Sequence, residues 1–241
     1  MAILDMEFRS DVLSLDTQVK IIMPHKGNSP SKVIYLLHGL CGNRNCWLRE
    51  TDIFNLAENF TVIMPEVGRS FYTDTMNDPK YFTFLAEEIP AVMKKTLNIS
   101  DKREDTFAMG YSMGGYGAVK LALRHPEKIR AAVSLSGVLG LGAGGKPPKS
   151  NEWAWVFGTE KLRPEDDVME LIDGLKNKEE KPDIFFCCGK EDFLYRGNIF
   201  FKEHLEKNGY PFTFEDFPGE HPQGYTNERI KRGIEFIKTF C

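Results

Sequence analysis

Short apolar runs alternate with amphipathic stretches along most of this chain, and that alternation restricts the fold more than any other feature. The runs are "KVIYLLHG", "FTVIMPE", "DTFAMGYS", "IRAAVSLSG", "DIFFCCGKED" and "YPFTFEDFPG". Each is bounded by Gly, Pro or Asp, as a buried strand would be. Between them, "RETDIFNLAENF", "PKYFTFLAEEIPAVMKKTL", "GGYGAVKLALRH", "NIFFKEHLEKNG" and "NERIKRGIEFIKTF" are predicted helices, with apolar residues at helical spacing. Strands that are apolar throughout must be covered on both faces, and parallel neighbours need crossover helices. The predicted class is therefore α/β, with a mostly parallel sheet of about eight strands and helices on both faces. The opening runs "AILDMEFRS" and "TQVKIIMP" are expected to pair antiparallel at its margin. A chain of 241 residues suits a single unit of this kind, residues 1–241.

The rhythm breaks once. The stretch from Gly137 to Pro182, "GVLGLGAGGKPPKSNEWAWVFGTEKLRPEDDVMELIDGLKNKEEKP", is too long for a simple connection and reads as an excursion after the sixth strand. Within it, "PEDDVMELIDGL" is a predicted helix, with Pro164 in its first turn and acids at its N-terminus. Loops at the carboxyl ends of an open α/β sheet surround its ligand site. Trp153, Trp155 and Phe157 would then either overhang such a site or complete the core.

Composition narrows the range of partners. A net charge of −4 leaves no basic footprint for nucleic acid, and no apolar run is long enough to cross a bilayer. The start, "MAILDMEFRSDVLSLD", lacks the cationic region and apolar stretch of a signal peptide. The five cysteines, Cys41, Cys46, Cys187, Cys188 and Cys241, are odd in number and contain no C-x-x-C pair. They read as reduced thiols of a cytoplasmic protein, with no metal site.

The chemistry centres on "MGYSMGG". Ser112 lies in Gly110-Tyr111-Ser112-Met113-Gly114, the pattern G-x-S-x-G, where a predicted strand gives way to a predicted helix. Alone the pattern is weak, but this is the context a nucleophile elbow requires. There the serine takes a strained backbone and the helix crosses close to the strand, so only small residues fit two places before and after it. A phosphate loop is excluded, because no Lys follows at the required spacing and G-x-G-x-x-G is absent.

A serine hydroxyl needs a base. Of the five histidines, His25 precedes the central sheet. His125 and His204 fall late in amphipathic helices, where a histidine can meet the last carbonyls, and His38 ends a buried strand. His221, in "DFPGEHPQGY", follows the last predicted strand and stands at the carboxyl edge of the sheet. The acid that orients it comes from "GKED". Asp192 is preferred because the glycine-led turn lets the chain leave the strand before the acid returns, with Glu191 as the chemically equivalent rival. Backbone N–H groups of Met113 and of Leu40, in the loop after "KVIYLLHG", are the expected oxyanion donors.

With these residues in place, the sequence resembles the α/β-hydrolase superfamily. More narrowly, it resembles the bacterial tributyrin esterases of the esterase D and S-formylglutathione hydrolase group. The similarity runs over nearly the whole chain and is carried by "LLHGLCGNRNCWLRETDI", "FYTDT", "LAEEIP", "GYSMGGYGAVKLAL" and "CGKEDFLY", followed by a late histidine. The resemblance implies an α/β-hydrolase fold and cofactor-free hydrolysis of short-chain acyl esters through an acyl-enzyme. Position by position it implies Ser112 as nucleophile, Asp192 as acid and His221 as base, with Leu40 and Met113 framing the oxyanion. The chain departs from the group after His221, where relatives commonly carry an acidic residue and a tryptophan and this chain has Pro222-Gln223-Gly224-Tyr225.

Six aromatic residues in predicted loops or helix starts are candidates for the substrate pocket: Trp47, Phe71, Tyr72, Trp153, Trp155 and Tyr195. Each is as compatible with packing as with substrate contact. The expected partner is a small-molecule ester, not nucleic acid or a membrane, and association between copies is left open. Feruloyl or acetylated-xylan esters, S-formylglutathione and acyl transfer to an alcohol all use the same residues. A catalytically silent binding module is the reading from a different class. The complete triad and the elbow glycines argue against it.

Overall fold

The computed structural model describes residues 1–24, 32–141, 151–158 and 161–241; His25 and part of the Gly137–Pro182 excursion lie outside them. Among the described residues, eight strands form one sheet: β1 (Ala2–Ser10), β2 (Leu15–Met23), β3 (Val33–Leu37), β4 (Thr61–Pro65), β5 (Thr106–Tyr111), β6 (Ala131–Leu135), β7 (Asp183–Gly189) and β8 (Phe212–Phe217). Their spatial order is β1-β2-β4-β3-β5-β6-β7-β8. β1–β2 and β2–β4 are antiparallel and all other pairs are parallel.

Residues β3 to β7 are buried almost throughout, and alternate side chains serve opposite layers. Val33, Tyr35 and Leu37 of β3 face one core, while Ile34 and Leu36 face the other. The first core is covered by a long helix that ends in α4 (Ile89–Leu97), and by α5 (Met113–Arg124), α6 (Asn151–Phe157), α7 (Val168–Gly174) and α8 (Tyr195–Lys207). The second is covered by α1 (Cys46–Glu50), α2 (Ile53–Leu56) and α9 (Asn227–Lys238). The edge strands β1 and β8 are partly exposed and carry charges such as Asp5, Glu7 and Glu215, which discourage pairing with another chain.

Three predicted helices take a different form. In "PEDDVMELIDGL", Pro164–Asp166 is a separate 3₁₀ turn and the helix starts only at Val168, after the extended Asp167. The stretch 49–60 is not one helix, because Thr51 ends α1: its hydroxyl donates back to Trp47 O at 2.5 Å and accepts Ile53 N–H at 3.3 Å. The stretch 79–97 is helical from Tyr81 to Leu97, starting as α3 (Tyr81–Thr83), but it widens into a π turn at Phe84–Glu88. Pro90 has no N–H to offer the Ala86 carbonyl, and its ring crowds that oxygen. Lys128 Nζ approaches Ala86 O instead, at 3.4 Å.

The described part of the excursion is docked onto α5. Lys120, fully buried, donates to Asp166 Oδ1 at 3.1 Å and Thr73 Oγ1 at 2.6 Å. Arg163 holds the other Asp166 oxygen at 2.7 Å, and Tyr116 donates to Asp166 O at 2.6 Å. Burial pulls the Lys120 ammonium below its ordinary pKa against the attraction of Asp166. The short helix α7 is capped by Asp167, whose carboxylate accepts Met169 N–H at 3.0 Å.

Candidate active site

Ser112 stands at the sharp step from β5 into α5 with φ 55° and ψ −117°, a backbone region that side chains other than glycine rarely occupy. Three hydrogen bonds hold it there. Ser112 N–H donates to Leu135 O at 2.9 Å, and Ser112 O accepts from Val138 N–H and Tyr116 N–H at 3.2 Å each. The flanking glycines permit the crossing. A Cβ on Gly110 would run into Gly114 O, and one on Gly114 into Leu37 O. The turn therefore rests on backbone packed directly against backbone.

His221 opens a 3₁₀ turn, His221–Tyr225, after β8. Its Nε2 lies 3.0 Å from Ser112 Oγ, and its Nδ1 lies 2.8 Å from Asp192 Oδ2. The network assigns the proton on the ring to Nδ1, leaving Nε2 to accept from the serine. Asp192 is 4% exposed, and its Oδ1 accepts Leu194 N–H at 2.8 Å. Burial pushes the Asp192 carboxyl up, but the hydrogen bonds from His221 and Leu194 outweigh it and leave it below its ordinary value. Glu191 is turned elsewhere: its carboxylate accepts Gly219 N–H at 2.5 Å and so braces the loop that delivers His221. His125 and His204 are occupied elsewhere, His125 with Glu127 and His204 with Asp173.

His38 is buried at the end of β3. Its Nδ1 donates to Gly39 O at 2.9 Å and its Nε2 accepts Val67 N–H at 3.4 Å. Burial lowers its pKa, which keeps the ring neutral in that tautomer. Gly42 N–H also donates to Gly39 O, at 2.9 Å. The C=O and N–H of a trans peptide point in opposite directions, so pinning Gly39 O aims Leu40 N–H the other way. Met113 is the first residue of α5, where a backbone N–H has no partner within the helix.

A cavity of about 390 Å³ opens beside Ser112, within the range of small-ligand sites. Its walls include Leu40, Cys46, Tyr111, Phe193 and Tyr225, and Glu50 and His221 are its ionisable polar groups besides thiols and phenols. Rings run across one side of it. Tyr111 stacks on His221 at 4.9 Å, Tyr225 meets Tyr111 at 4.8 Å, and Trp47 backs Tyr225 at 4.7 Å. Phe193, 78% exposed, lies 4.7 Å from the His221 ring on another side. The Tyr111 hydroxyl donates to His221 O at 3.1 Å.

None of the six predicted pocket aromatics lines this cavity. Trp47 is fully buried behind Tyr225. Tyr72 is also buried, donating to His38 O at 2.9 Å. Phe71 and Trp153 pack on Phe157, and Trp155 is 39% exposed. Tyr195 donates to Asp216 at 2.8 Å. Several of the residues that do form the walls sit one to four places from the candidate site residues: Tyr111 precedes Ser112, Phe193 follows Asp192, Cys41 follows Leu40 and Tyr225 comes four after His221, while Cys46 and Glu50 come from α1. Tyr225, in the stretch where the chain departs from the group, has its ring between Trp47 and Tyr111.

Among the described residues no group of three His, Cys, Asp or Glu side chains is placed to hold a metal, and no helix is long and apolar enough to cross a membrane. A strained serine after β5, an acid after β7 and a histidine after β8 on this sheet define an α/β-hydrolase. Residues 10–229 match the Esterase family, described as "Putative esterase", and the chain belongs to that family. It is 30% identical to an acetyl esterase of Caldicellulosiruptor saccharolyticus over 98% of both chains. Two solved structures from Staphylococcus aureus are each 28% identical over 98% of both chains. One is the fluorophosphonate-binding serine hydrolase F with substrate bound, at a TM-score of 0.86. The other is an S-formylglutathione hydrolase apoenzyme, at 0.84. The chain is a serine ester hydrolase.

Proposed function

We propose that the chain hydrolyses short-chain acyl esters of neutral alcohols through an acyl-enzyme on Ser112. The observation that carries this reading is the continuous line from Ser112 Oγ to His221 Nε2 at 3.0 Å and from His221 Nδ1 to Asp192 at 2.8 Å, beginning at a strained turn. Ser112 Oγ attacks the ester carbonyl while His221 Nε2 takes its proton. Asp192 holds the imidazole in the required tautomer and offsets the charge it gains. The N–H groups of Leu40 and Met113 receive the oxyanion, the first already aimed by the two bonds to Gly39 O. His221 returns the proton to the leaving alcohol, water enters by the same route, and the acid departs. The five unpaired cysteines support a cytoplasmic setting for this chemistry.

Cavity chemistry favours a neutral leaving group. Glu50 is the carboxylate in the wall, paired with Arg49 from the same helix, and among the described residues no lysine or arginine lines the cavity itself. An anionic thiol such as glutathione would find no lysine or arginine among the described lining residues to receive its carboxylates. The likeness to the S. aureus S-formylglutathione hydrolase nevertheless supports thioester hydrolysis as a second reading. Rates of wild type and Ser112→Ala on p-nitrophenyl acetate, butyrate, octanoate and ferulate, and on S-formylglutathione, separate these readings. Fast turnover of acetate and butyrate, lost in Ser112→Ala, is the expected result. A dominant rate on S-formylglutathione selects the second reading, and undiminished activity in the variant removes Ser112 from the mechanism.

A further inference from the structure

A second cavity, of about 300 Å³, lies between the π turn, α4 and the C-terminal end of α5. It sits near the amino ends of β3 and β5. Thr106, in its wall, is six residues before Ser112 along β5, about 20 Å at the rise of an extended strand. The esterase chemistry makes no use of it.

Its origin is physical. Pro90 removes the donor that Ala86 O would otherwise receive, and the helix widens around that point. Leu85, Pro90, Ala91 and Leu121 then form an aliphatic wall. Two polar groups in the lining are left with unused capacity. Tyr35 is buried to 4% exposure, yet among the described residues its hydroxyl has no hydrogen-bond partner. Burial, with the Asp101 charge adding to it, raises its pKa, so the hydroxyl keeps its proton as a donor. Lys128 is half-buried and donates to Ala86 O; among the described residues no carboxylate lies within 4.0 Å of its ammonium, and the exposed Glu127 beside it feels its charge only at longer range. The other charges in the wall differ in setting. Lys94 is paired with Asp101 at 2.6 Å, and Glu87 is exposed to solvent, which screens it.

An aliphatic wall, a protonated phenol and an ammonium with no carboxylate in direct contact among the described residues together suit one chemical class. We infer that this cavity binds a short aliphatic carboxylate, with the head group between Lys128 and Tyr35 and the chain against Leu85, Pro90 and Leu121. The volume stands at the low end for small-ligand sites, which restricts the ligand to a few carbons. Binding here is independent of the serine chemistry, although the acids released from short-chain esters belong to the same class.

The test is a titration of ¹⁵N-labelled protein with sodium hexanoate, and in parallel with hexylammonium chloride, followed by amide spectra. Hexanoate is expected to shift the amides of Ala86, Ala91 and Lys128 saturably, and hexylammonium is not. Lys128→Met removes a charge-assisted bond and is expected to weaken binding about tenfold or more. Tyr35→Phe deletes only the hydroxyl, so it tests the site even if the lysine variant folds poorly, and a loss of about threefold to tenfold is expected. Shifts confined to Leu40, Tyr111 and Phe193, no saturable shift at all, or equal binding of hexylammonium would each overturn the inference.

Discussion

His38 and Ser112 show how much a single side chain does through backbone it holds. His38 touches no substrate atom in the proposed reaction, but its bond to Gly39 O fixes the peptide that carries Leu40 N–H. His38→Ala is expected to lower kcat by about tenfold to a hundredfold with KM little changed, because a misaimed oxyanion donor is felt mainly in the transition state. His38→Asn, which can still donate to Gly39 O, is expected to recover part of that loss. Asp192→Asn should cost about 10³–10⁴-fold in kcat by admitting the wrong histidine tautomer. Steady-state kinetics on p-nitrophenyl butyrate read all three. At this scale the sequence was informative wherever a residue ends an apolar run. Ser112, Asp192 and His221 each follow a strand, so chain position alone placed them on one edge. The preference for Asp192 over Glu191 rested on the glycine-led "GKED" turn, and in the structure that turn directs Asp192 to His221 and Glu191 to Gly219. The pocket aromatics were not legible. A loop tryptophan has the same sequence signature whether it packs inward, as Trp47 does, or faces a ligand, and only neighbouring backbone decides.

Among the elements, β5 and α5 do most to set the site, and their contact tolerates almost no change. A methyl group on Gly114 would overlap Leu37 O, so Gly114→Ala must push β3 and α5 apart. The expected cost is about 3 kcal/mol, or roughly 6–12 °C in Tm for a chain of this size. Activity should fall as well, since the same shift moves Leu40 away from Ser112. A second joint holds the excursion to α5. Lys120→Met leaves Asp166 buried with Arg163 alone and is expected to lose about 3 kcal/mol by chemical denaturation. The double variant Lys120→Met/Asp166→Leu should recover much of it, because the buried carboxylate that lost its lysine partner is gone. Strands were predictable as elements because apolar runs between Gly, Pro and Asp have few alternatives. Helix interruptions were harder to see. Thr51 and Pro90 break or widen helices whose apolar spacing continues through them, and the spacing alone does not register a lost backbone donor.

For the whole molecule, the catalytic arrangement is linked to stability through Asp192. Its folded-state pKa is depressed, so its contribution is present in full above the ordinary carboxylate range, about pH 4. On acidification the unfolded chain takes up this proton first, and the contribution disappears as pH falls through the folded value. The Tm of wild type is therefore expected to approach that of Asp192→Asn as pH is lowered from about 7 to about 3. A gap that stays constant would mean that the carboxylate adds nothing to folding. The central claim, an acyl-enzyme on Ser112, has a more direct readout. Wild-type protein mixed with p-nitrophenyl butyrate and quenched with acid within the first turnover should gain the mass of one butyryl group, on the peptide containing Ser112. Ser112→Ala should gain none and turn over about 10⁴-fold more slowly. A butyryl group on another residue, or a Ser112→Ala protein that keeps the wild-type rate, would contradict it.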